Sequence, residues 1–536
     1  MNANRLGILV VVSAIAAQTL LLQSCSSFLE EYSQDNDYVR TWNDLDELLI
    51  GNCYMPVVEG EAFSAQANYG SFLHYLADEL EENNTPYMGE AAAYDDSRSW
   101  AFGYFTWQQR VGQNDTYTDF YQENKTWTKV YNLINVANNI IESVNDVPSS
   151  TDEEQQGVHK VRGEAHFLRA FYYFWLANIY GQPYNPATAA ADLAVPLKTS
   201  EAVEDIKFSR ASVQTVYDQV VRDLQTAETE LAQVRAKQTS LYRADVTAVR
   251  LLFSRVYLYL QQWEQAATYA AKVIEAHPQL QDIVATTTAK FAVASNPENL
   301  FSMGGDDAPC LCYYGYRSFR ISDDLYNAYG SNDNRRRQWF WHKGLFTGSV
   351  KHEEGNKYTD QDPANKNYYN YAYYEGYRGV LSPVSSLFLL RSAEAYLNLA
   401  EAEAYQGHSE PALQALNALR SKRYNAGATL SGLTQADLIT AIRHERRLEL
   451  ALEGHRWFDL RRYRVCGVQP ERISIVHDYT IYESRTSINM LERHRFTLTE
   501  DDASWTLPIP EEVITFNTGM PNNGNQWRTY ETIAIN

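Results

Sequence analysis

Apolar residues recur at every third or fourth position over several long stretches of the chain, a period that predicts amphipathic α-helices. The clearest stretch is 161–181, where Gly181 and Pro183 are expected to end the helix. Its apolar side is formed by Leu168, Phe171, Tyr172, Trp175, Leu176 and Ile179. The same period predicts further helices over 124–144, 212–231, 247–260, 385–405 and 411–424.

A helical hairpin repeats along the chain. Its clearest copy, 256–278, has a tight turn at 261–262 and carries Ala266 and Tyr269 on the second helix, and a later copy has Gly407 at its turn. This spacing resembles the tetratricopeptide (TPR) unit, whose small residues let two helices approach closely. We therefore predict a mainly α fold, a TPR-like stack of helical hairpins (an α-α superhelix) with large irregular aromatic-rich insertions and a few short strands. The helical pairs are expected at about 124–181, 212–278 and 385–454.

Two long segments between the predicted helices, about 83–121 and 306–378, are rich in aromatic and polar residues. Loops of this length in a compact domain are usually functional. A sugar-binding site needs flat rings for the apolar faces of the sugar and polar side chains for its hydroxyls. The candidate ligand-binding residues are Tyr94, Arg98, Trp100, Trp107, Asn114, Tyr313, Tyr314 and Trp341. For any single ring, packing against the helical stack is the alternative.

The net charge of −21 restricts the possible partners. Nucleic-acid binding requires a basic surface, so this acidic chain argues against it. The sequence contains no nucleophile elbow, P-loop, HExxH or EF-hand motif, and we therefore predict no enzyme, no metal site and no cofactor. Cys310 and Cys312 are too close to favour a mutual disulfide, although an isolated bridge among Cys53, Cys310, Cys312 and Cys466 stays open.

The first 24 residues have the pattern of a targeting segment. Arg5 precedes an uncharged run from Leu6 to Leu22, and the run ends just before Cys25. A small residue before this cysteine resembles a lipoprotein signal-peptidase site, which predicts lipidation at Cys25. An ordinary secretory signal or a membrane anchor is the alternative. We expect a lipid-anchored flexible tether over 25–40 and a single domain over 41–536.

The stretch 443–463 (RHERRLELALEGHRWFDLRRY) combines many charges with apolar residues. Thr434 and Asp437 predict the start of a helix and Gly454 predicts its end. Charged and apolar residues fall on the same side of this helix, which predicts buried Arg–carboxylate pairs that hold the fold together. The alternative is a glycosidase pair formed by Glu445 and Glu449, but the abundant Arg residues favour two ionised carboxylates over a general acid.

This stretch resembles the C-terminal signature of the SusD/RagB family of surface lipoproteins. The residues that carry the resemblance are Glu445, Arg446, Arg447, Glu449, Glu453, Gly454, Arg456, Trp457, Asp459 and Arg461. The tail over 505–527 is similar to the family's closing segment, and 333–336 resembles a structural element of the family.

The resemblance implies a non-catalytic lipoprotein at the cell surface of a Gram-negative bacterium, held in the outer membrane by its lipid. It would bind an oligosaccharide and deliver it to a TonB-dependent (SusC-like) outer-membrane transporter, with the helical stack facing that partner. Peptide cargo, a lipid-tethered TPR adaptor that binds only protein, and a glycoside hydrolase are the alternatives.

Overall fold

The computed structural model describes residues 39–55, 69–83, 96–115, 126–202, 206–286, 291–304, 318–343, 346–349, 351, 384–484, 487 and 489–535. The fold is mainly helical, as the apolar period predicts. Its α-helices are α1 (Trp42–Leu48), α2 (Leu73–Leu76), α3 (Asp96–Phe105), α4 (Thr126–Ser143), α5 (Asp152–Tyr180), α6 (Val213–Leu231), α7 (Val246–Tyr259), α8 (Trp263–Ala276), α9 (Asp323–Ala328), α10 (Asn334–Gln338), α11 (Ser392–Tyr405), α12 (Ser409–Arg420), α13 (Gln435–Glu449), α14 (Arg456–Arg464) and α15 (Glu511–Phe516).

The strands are few and antiparallel. They are β1 (Leu80–Glu82), β2 (Asn299–Ser302), β3 (Phe319–Ile321), β4 (Phe340–Lys343), β5 (Phe346–Ser349), β6 (Leu389–Arg391), β7 (Ile475–Tyr482), β8 (Met490–Leu498) and β9 (Glu531–Ile533). Strands β1 and β3, β2 and β6, and β4 and β5 form three two-stranded pairs, and β7, β8 and β9 form a three-stranded sheet in that order.

Helix α5 starts well before residue 161, where the apolar pattern places its beginning. The hydroxyl of Thr151 accepts a hydrogen bond from the Glu154 backbone N–H at 3.2 Å, and the Glu154 carboxylate accepts one from the Thr151 N–H at 2.9 Å. This capping box satisfies two backbone donors and starts the helix at Asp152. The first turns of α5 are polar, so they carry no apolar stripe by which the pattern would reveal them.

The TPR-like hairpin of α7 and α8 turns where its sequence predicts. Gln261 has a φ of 58°, which reverses the chain between the two helices. Buried Ala266 lets α8 approach α7, and the Ser254 hydroxyl donates to the Ala266 carbonyl at 3.0 Å. The rings of Phe253 and Tyr269 stack across the hairpin at 4.5 Å. Small and aromatic residues therefore have the complementary roles that the repeat requires.

The second predicted insertion is more regular than its sequence indicates. Residues 318–349 form β3, α9, α10, β4 and β5 over the parts that the structure describes. The Ser322 hydroxyl accepts from the Leu325 N–H at 3.2 Å, and the Asp333 carboxylate accepts from the Arg335 N–H at 3.0 Å. Each contact caps a short helix. These helices have too few turns to produce a recognisable apolar period.

The hairpin of β7 and β8 is longer than the short strands expected from the sequence. Buried and exposed residues alternate along β7, where Ile475, His477 and Tyr479 are buried while Val476 is exposed. A polar histidine at an inward position weakens that alternation. The three-stranded sheet that begins with this hairpin packs against the first insertion. The sheet therefore positions several of the candidate ligand-binding residues.

Helix α5 passes through the centre of the core, where nearly every residue from Val161 to Tyr180 is buried. The Trp175 ring lies 4.5 Å from that of Phe388 and 5.3 Å from that of Phe458. One helix therefore contacts both the strand region before α11 and the family-signature helix α14. Cys53 and Cys466 are buried free thiols, so neither forms a disulfide.

We predict that Gly157→Ala destabilises the protein by ~1–3 kcal/mol, although Ala has the higher helix propensity. A Cβ at residue 157 would lie 2.0 Å from the Trp42 ring, so α1 would have to move away from α5. Urea unfolding measures the change. The matched control is Gly51→Ala, because a Cβ there meets no atom within 4 Å. Equal stability of the Gly157 variant and wild type would contradict this packing.

Candidate functional site

The carboxylate of Glu449, in the last turn of α13, is the centre of a buried network of paired charges that we call the charge lattice. It accepts hydrogen bonds from three guanidinium groups, at 2.9 Å from Arg335, 2.7 Å from Arg391 and 2.8 Å from Arg423. All four side chains are almost completely buried. Because α10, β6 and the turn after α12 each contribute one arginine, Glu449 joins elements that are distant in the sequence.

The charges of the lattice are balanced. Its members are the acids Glu298, Asp333, Glu445, Glu449 and Glu453 and the bases Arg335, Lys351, Arg391, Arg420 and Arg423. Glu453 pairs with Lys351 at 2.6 Å and with Arg391 at 2.9 Å. Equal numbers of acids and bases leave no net charge in the interior, which is the condition under which ionised groups tolerate burial.

The surrounding guanidinium groups keep the central acids ionised. Burial acts to raise the pKa of Glu449, but Arg423 and Arg391 outweigh it and lower that pKa well below 4.5. Burial likewise opposes ionisation of Glu453, and Arg391 and Lys351 lower its pKa. The lattice is therefore held by charge-assisted hydrogen bonds rather than by neutral carboxyl groups.

A second group of paired charges joins α13, α14 and α11. Asp459 accepts from Arg446 at 2.8 Å and from Arg462 at 2.8 Å. Arg462 also donates two hydrogen bonds to Glu401, at 2.6 and 2.8 Å. Burial acts to raise the pKa of Glu401, but Arg462 outweighs it and lowers the pKa from 4.5 to about 2.

Arg461 connects the signature to α5 and to the tail. Its guanidinium donates to the carbonyls of Asn178 and Gly181 and, at 3.0 Å, to the Thr506 hydroxyl. Burial lowers the pKa of Arg461 to about 10, which leaves it charged at neutral pH. The carbonyl end of a helix carries partial negative charge, so α5 itself stabilises this cation. The adjacent Trp457 ring stacks on Trp505 at 4.9 Å.

The remaining signature residues fix the turn after α13 and its contact with the loop before β1. Asp78 accepts from Arg456 at 2.7 Å and pairs with Arg447 at 3.1 Å. Gly454 has a φ of 72°, and a Cβ there would lie 2.7 Å from Leu387. Glycine is therefore required on two grounds. The helix itself ends at Glu449, before the glycine that predicts its end.

This geometry does not form a glycosidase pair. Glu445 and Glu449 are both fully buried, and Glu445 pairs with Arg335 at 2.6 Å and with Arg420. A general acid and a nucleophile must both reach the glycosidic bond. These two carboxylates instead contact arginines inside the fold.

Most of the described side chains of the first insertion lie in the interior. Trp107 is 1 % exposed, its indole N–H donates to the Leu76 carbonyl at 3.0 Å, and its ring stacks on His477 at 4.5 Å. The ring of Phe105 covers the other face of His477 at 4.0 Å. Sequence reasoning expected the ring of Trp107 to meet a sugar. Its burial corrects that expectation, because a ring covered by protein cannot stack on a ligand.

Arg98 and Asn114 are also buried. Arg98 donates to Glu82 and to the Thr480 carbonyl, and its guanidinium lies 3.9 Å from the centre of the Tyr479 ring. These contacts attach α3 to β1 and β7. The expectation that Arg98 contacts the ligand is therefore corrected for the same reason as that for Trp107. Sequence reasoning could not foresee this, because the partner strand β7 follows α3 by more than 350 residues.

The other candidates are placed only in part. Trp100 lies on α3 and Trp341 on β4, and their side chains are outside the described part of the structure. Tyr94, Tyr313, Tyr314 and Cys25 lie outside the described residues. Ligand contact by these residues stays a prediction, as does lipidation of Cys25.

The part of the chain that the structure describes contains no group of metal ligands and no membrane-spanning helix. Within it, no three His, Cys, Asp or Glu side chains are grouped so as to hold a metal ion. Among the same residues, no helix is long and apolar enough to cross a membrane.

Comparison with known proteins identifies the family. Residues 316–527 match the family model described as "SusD family", and residues 57–258 match the model described as "Starch-binding associating with outer membrane". The first match contains α13, α14 and most of the charge lattice. The chain belongs to the SusD family. The predicted family is thereby confirmed.

Individual relatives of this SusD-family chain are distant in sequence but similar in fold. "SusD-like protein P2" of Formosa agariphila is 27% identical over 382 residues, which are 63% of this chain and 71% of the relative. A SusD superfamily structure from Bacteroides thetaiotaomicron is 21% identical with a TM-score of 0.66, covering 90% of this chain and 100% of that one. A structure described as a SusD-like carbohydrate binding protein from Bacteroides vulgatus is 19% identical with a TM-score of 0.62, covering 90% and 97%.

We predict that Glu449→Gln lowers the free energy of unfolding by ~3–5 kcal/mol, because it removes a charge that three buried guanidinium groups share. Urea unfolding at pH 7 measures the loss. The matched control is Glu410→Gln, which removes an exposed carboxylate from α12 and is expected to change stability by less than ~0.5 kcal/mol. Equal effects of the two changes would contradict a central role for Glu449.

Acid should weaken the Glu401–Arg462 pair in a defined pH range. The pKa of Glu401 is lower in the folded protein, so its contribution is complete above about 4.5 and is lost as the pH falls towards about 2. Glu401→Gln should be less stable at pH 7, and its stability should depend less steeply on pH within that range, by about one proton. Unfolding curves at successive pH values test this.

The control for the pH profile is Glu275→Gln, on the exposed side of α8. It should retain the wild-type slope. If Glu401→Gln also retained that slope, protonation of Glu401 would not be a source of the acid sensitivity.

Proposed function

We propose that this protein is a glycan-binding lipoprotein of the outer-membrane surface, which captures oligosaccharides without cleaving them and delivers them to a TonB-dependent transporter. Membership of the SusD family carries the proposal, together with the match of residues 57–258 to a model described as starch-binding and associated with the outer membrane. The leader before Cys25 supports a lipid anchor there.

The absence of catalysis is part of the proposal. It is supported by the contacts of Glu445 and Glu449, which are buried and paired with arginines. The sequence motifs of the common hydrolases are also missing. Incubation of the purified protein with polysaccharides should therefore release no reducing ends. Release that stopped in Glu445→Gln would overturn this part of the proposal.

Ligand capture is assigned to the aromatic insertions around 83–121 and 306–378. Since Trp107 and Arg98 serve the core, the contacting rings are sought among Trp100, Tyr313, Tyr314 and Trp341. Trp and Tyr suit this role because one side of the ring can meet an apolar sugar face while the polar edge stays in water.

We predict that the full-length protein in mild detergent is retarded in native gels that contain one of a panel of polysaccharides. The panel is soluble starch, xylan, galactomannan, laminarin, pectin and alginate. Trp100→Ala or Tyr314→Ala should weaken that binding about tenfold or more. The control Phe516→Ala removes a ring that is 83 % exposed but lies outside both insertions. Binding of peptides with no retardation by any polysaccharide would replace glycan with peptide as the cargo.

The transporter partner has its own test. Detergent extracts of membranes that contain the tagged protein should yield a large β-barrel protein in a fixed ratio to it. The control is the variant Cys25→Ser, which should not acquire the lipid and should recover less of the barrel. Failure of wild type to recover any barrel protein would contradict delivery to a transporter.

A further inference from the structure

A groove of about 720 Å³ lies on the C-terminal sheet, and none of the residues that line it belongs to either aromatic insertion. Its lining includes Arg495 and Thr497 of β8, Asp501, and Gln526, Trp527 and Tyr530 of the segment that leads into β9. The volume is within the range of ~300–1,000 Å³ typical of small-molecule sites. Two large rings stand at this groove, with Trp527 58% and Tyr530 48% exposed.

The segment that carries the two rings is fixed at two points. After it, β9 pairs with β8, with Glu531 opposite Arg495. Within it, Arg528 forms an ion pair with Asp502 and donates to the Thr497 carbonyl at 3.1 Å. The rings are therefore presented by a braced segment rather than by a free chain end. Holding binding groups in place before the ligand arrives reduces the entropy lost on binding.

The ring of Tyr530 is oriented by a second contact. It stacks on buried His494 at 3.7 Å with an angle of 10° between the ring planes. One face of Tyr530 is thus covered by protein, while nearly half of its surface remains open. This is the arrangement of a fixed platform for a ligand.

Four of the five ionic groups that line the groove are paired, and the fifth, Glu531, lies opposite Arg495 in the strand pair. Arg528 pairs with Asp502, Arg495 with Asp478 at 2.8 Å, and Asp501 with Arg472 at 2.9 Å. A charged ligand would have to compete with these internal partners. A neutral ligand would not, so the groove favours uncharged chemistry.

Polar groups without internal partners remain beside the rings. The side chains of Thr497, Thr499 and Gln526 form no hydrogen bond with any residue that the structure describes. Hydroxyl and amide groups both donate and accept, which matches the hydroxyls of a sugar.

We propose that this groove is a second carbohydrate-binding site, in which Trp527 and Tyr530 contact sugar faces and Thr497, Thr499 and Gln526 bind sugar hydroxyls. The ligand class rests on the proposed function, but the residues that line the site lie outside the insertions assigned to capture. A glycan chain held here has a second point of attachment on the same protein, and two weak contacts on one chain raise the overall affinity.

The test uses the full-length protein in mild detergent and the same gels of soluble starch, xylan, galactomannan, laminarin, pectin and alginate. Trp527→Ala should weaken the affinity for whichever polysaccharide retards the wild-type protein about tenfold. Trp527→Phe retains a planar ring and should stay within about threefold of wild type. Thr499→Val, of nearly the same shape, should weaken binding without loss of a ring. Phe516→Ala is the control for removal of an exposed aromatic group, and thermal unfolding confirms that each variant is folded.

The outcomes separate this site from the proposed function. If wild type binds a polysaccharide and Trp527→Ala binds it equally well, the groove is no sugar site, while glycan capture stands. If no polysaccharide retards wild type, both proposals fail. If Trp527→Ala loses the β-barrel partner or a peptide but keeps its glycan affinity, the groove is a protein-contact surface and the inference is overturned.

Discussion

The fold depends on the requirement that every charge carried into its interior has a partner there. Glu449 meets this requirement for three arginines at once, which come from α10, β6 and the turn after α12. Removing one partner would leave several buried charges uncompensated, which is far more costly than losing an exposed ion pair. The lattice thus fixes the positions of α10, β6, α13 and the turn after α12 relative to one another.

The same principle connects the lattice to the rest of the molecule. Arg461 uses backbone carbonyls at the end of α5 as its acceptors, and Trp457 stacks on Trp505 of the tail. The first insertion is attached to β7 through Arg98 and through the stack of Phe105, His477 and Trp107. Burial lowers the pKa of His477 from 6.5 to about 4, so this stack is neutral at physiological pH. Charged contacts therefore organise the C-terminal half, and aromatic contacts join it to the insertion.

Much of the helical fold could be predicted from the sequence, because long amphipathic helices repeat their apolar residues at a regular interval. The polar start of α5 and the short helices α9 and α10 could not, since their ends depend on caps rather than on periodicity. The charge of the signature stretch predicted pairing, but not that Lys351 and Glu298 would take part. Those partners are defined only by the tertiary structure.

The candidate site was less predictable for a related reason. Trp107 and an exposed tryptophan such as Trp527 have similar polar neighbours in the sequence, yet one is buried and the other is 58% exposed. What separates them is the sheet of β7, β8 and β9, whose hairpin has a weak alternating pattern. The sequence indicates that an aromatic residue in an irregular segment will pack against another group. The packing of distant strands decides whether that group belongs to the protein or to a ligand.

The sequence distances within the lattice have a consequence for how the chain folds. Glu298 and Arg391 are 93 residues apart, and Arg335 and Glu449 are 114 apart. A chain made from its N-terminus therefore presents Glu298, Arg335 and Arg391 long before α13 exists to pair with them. Such non-local contacts form slowly and late. The helical hairpins can assemble as they emerge, but the interior closes only when the last quarter of the chain arrives.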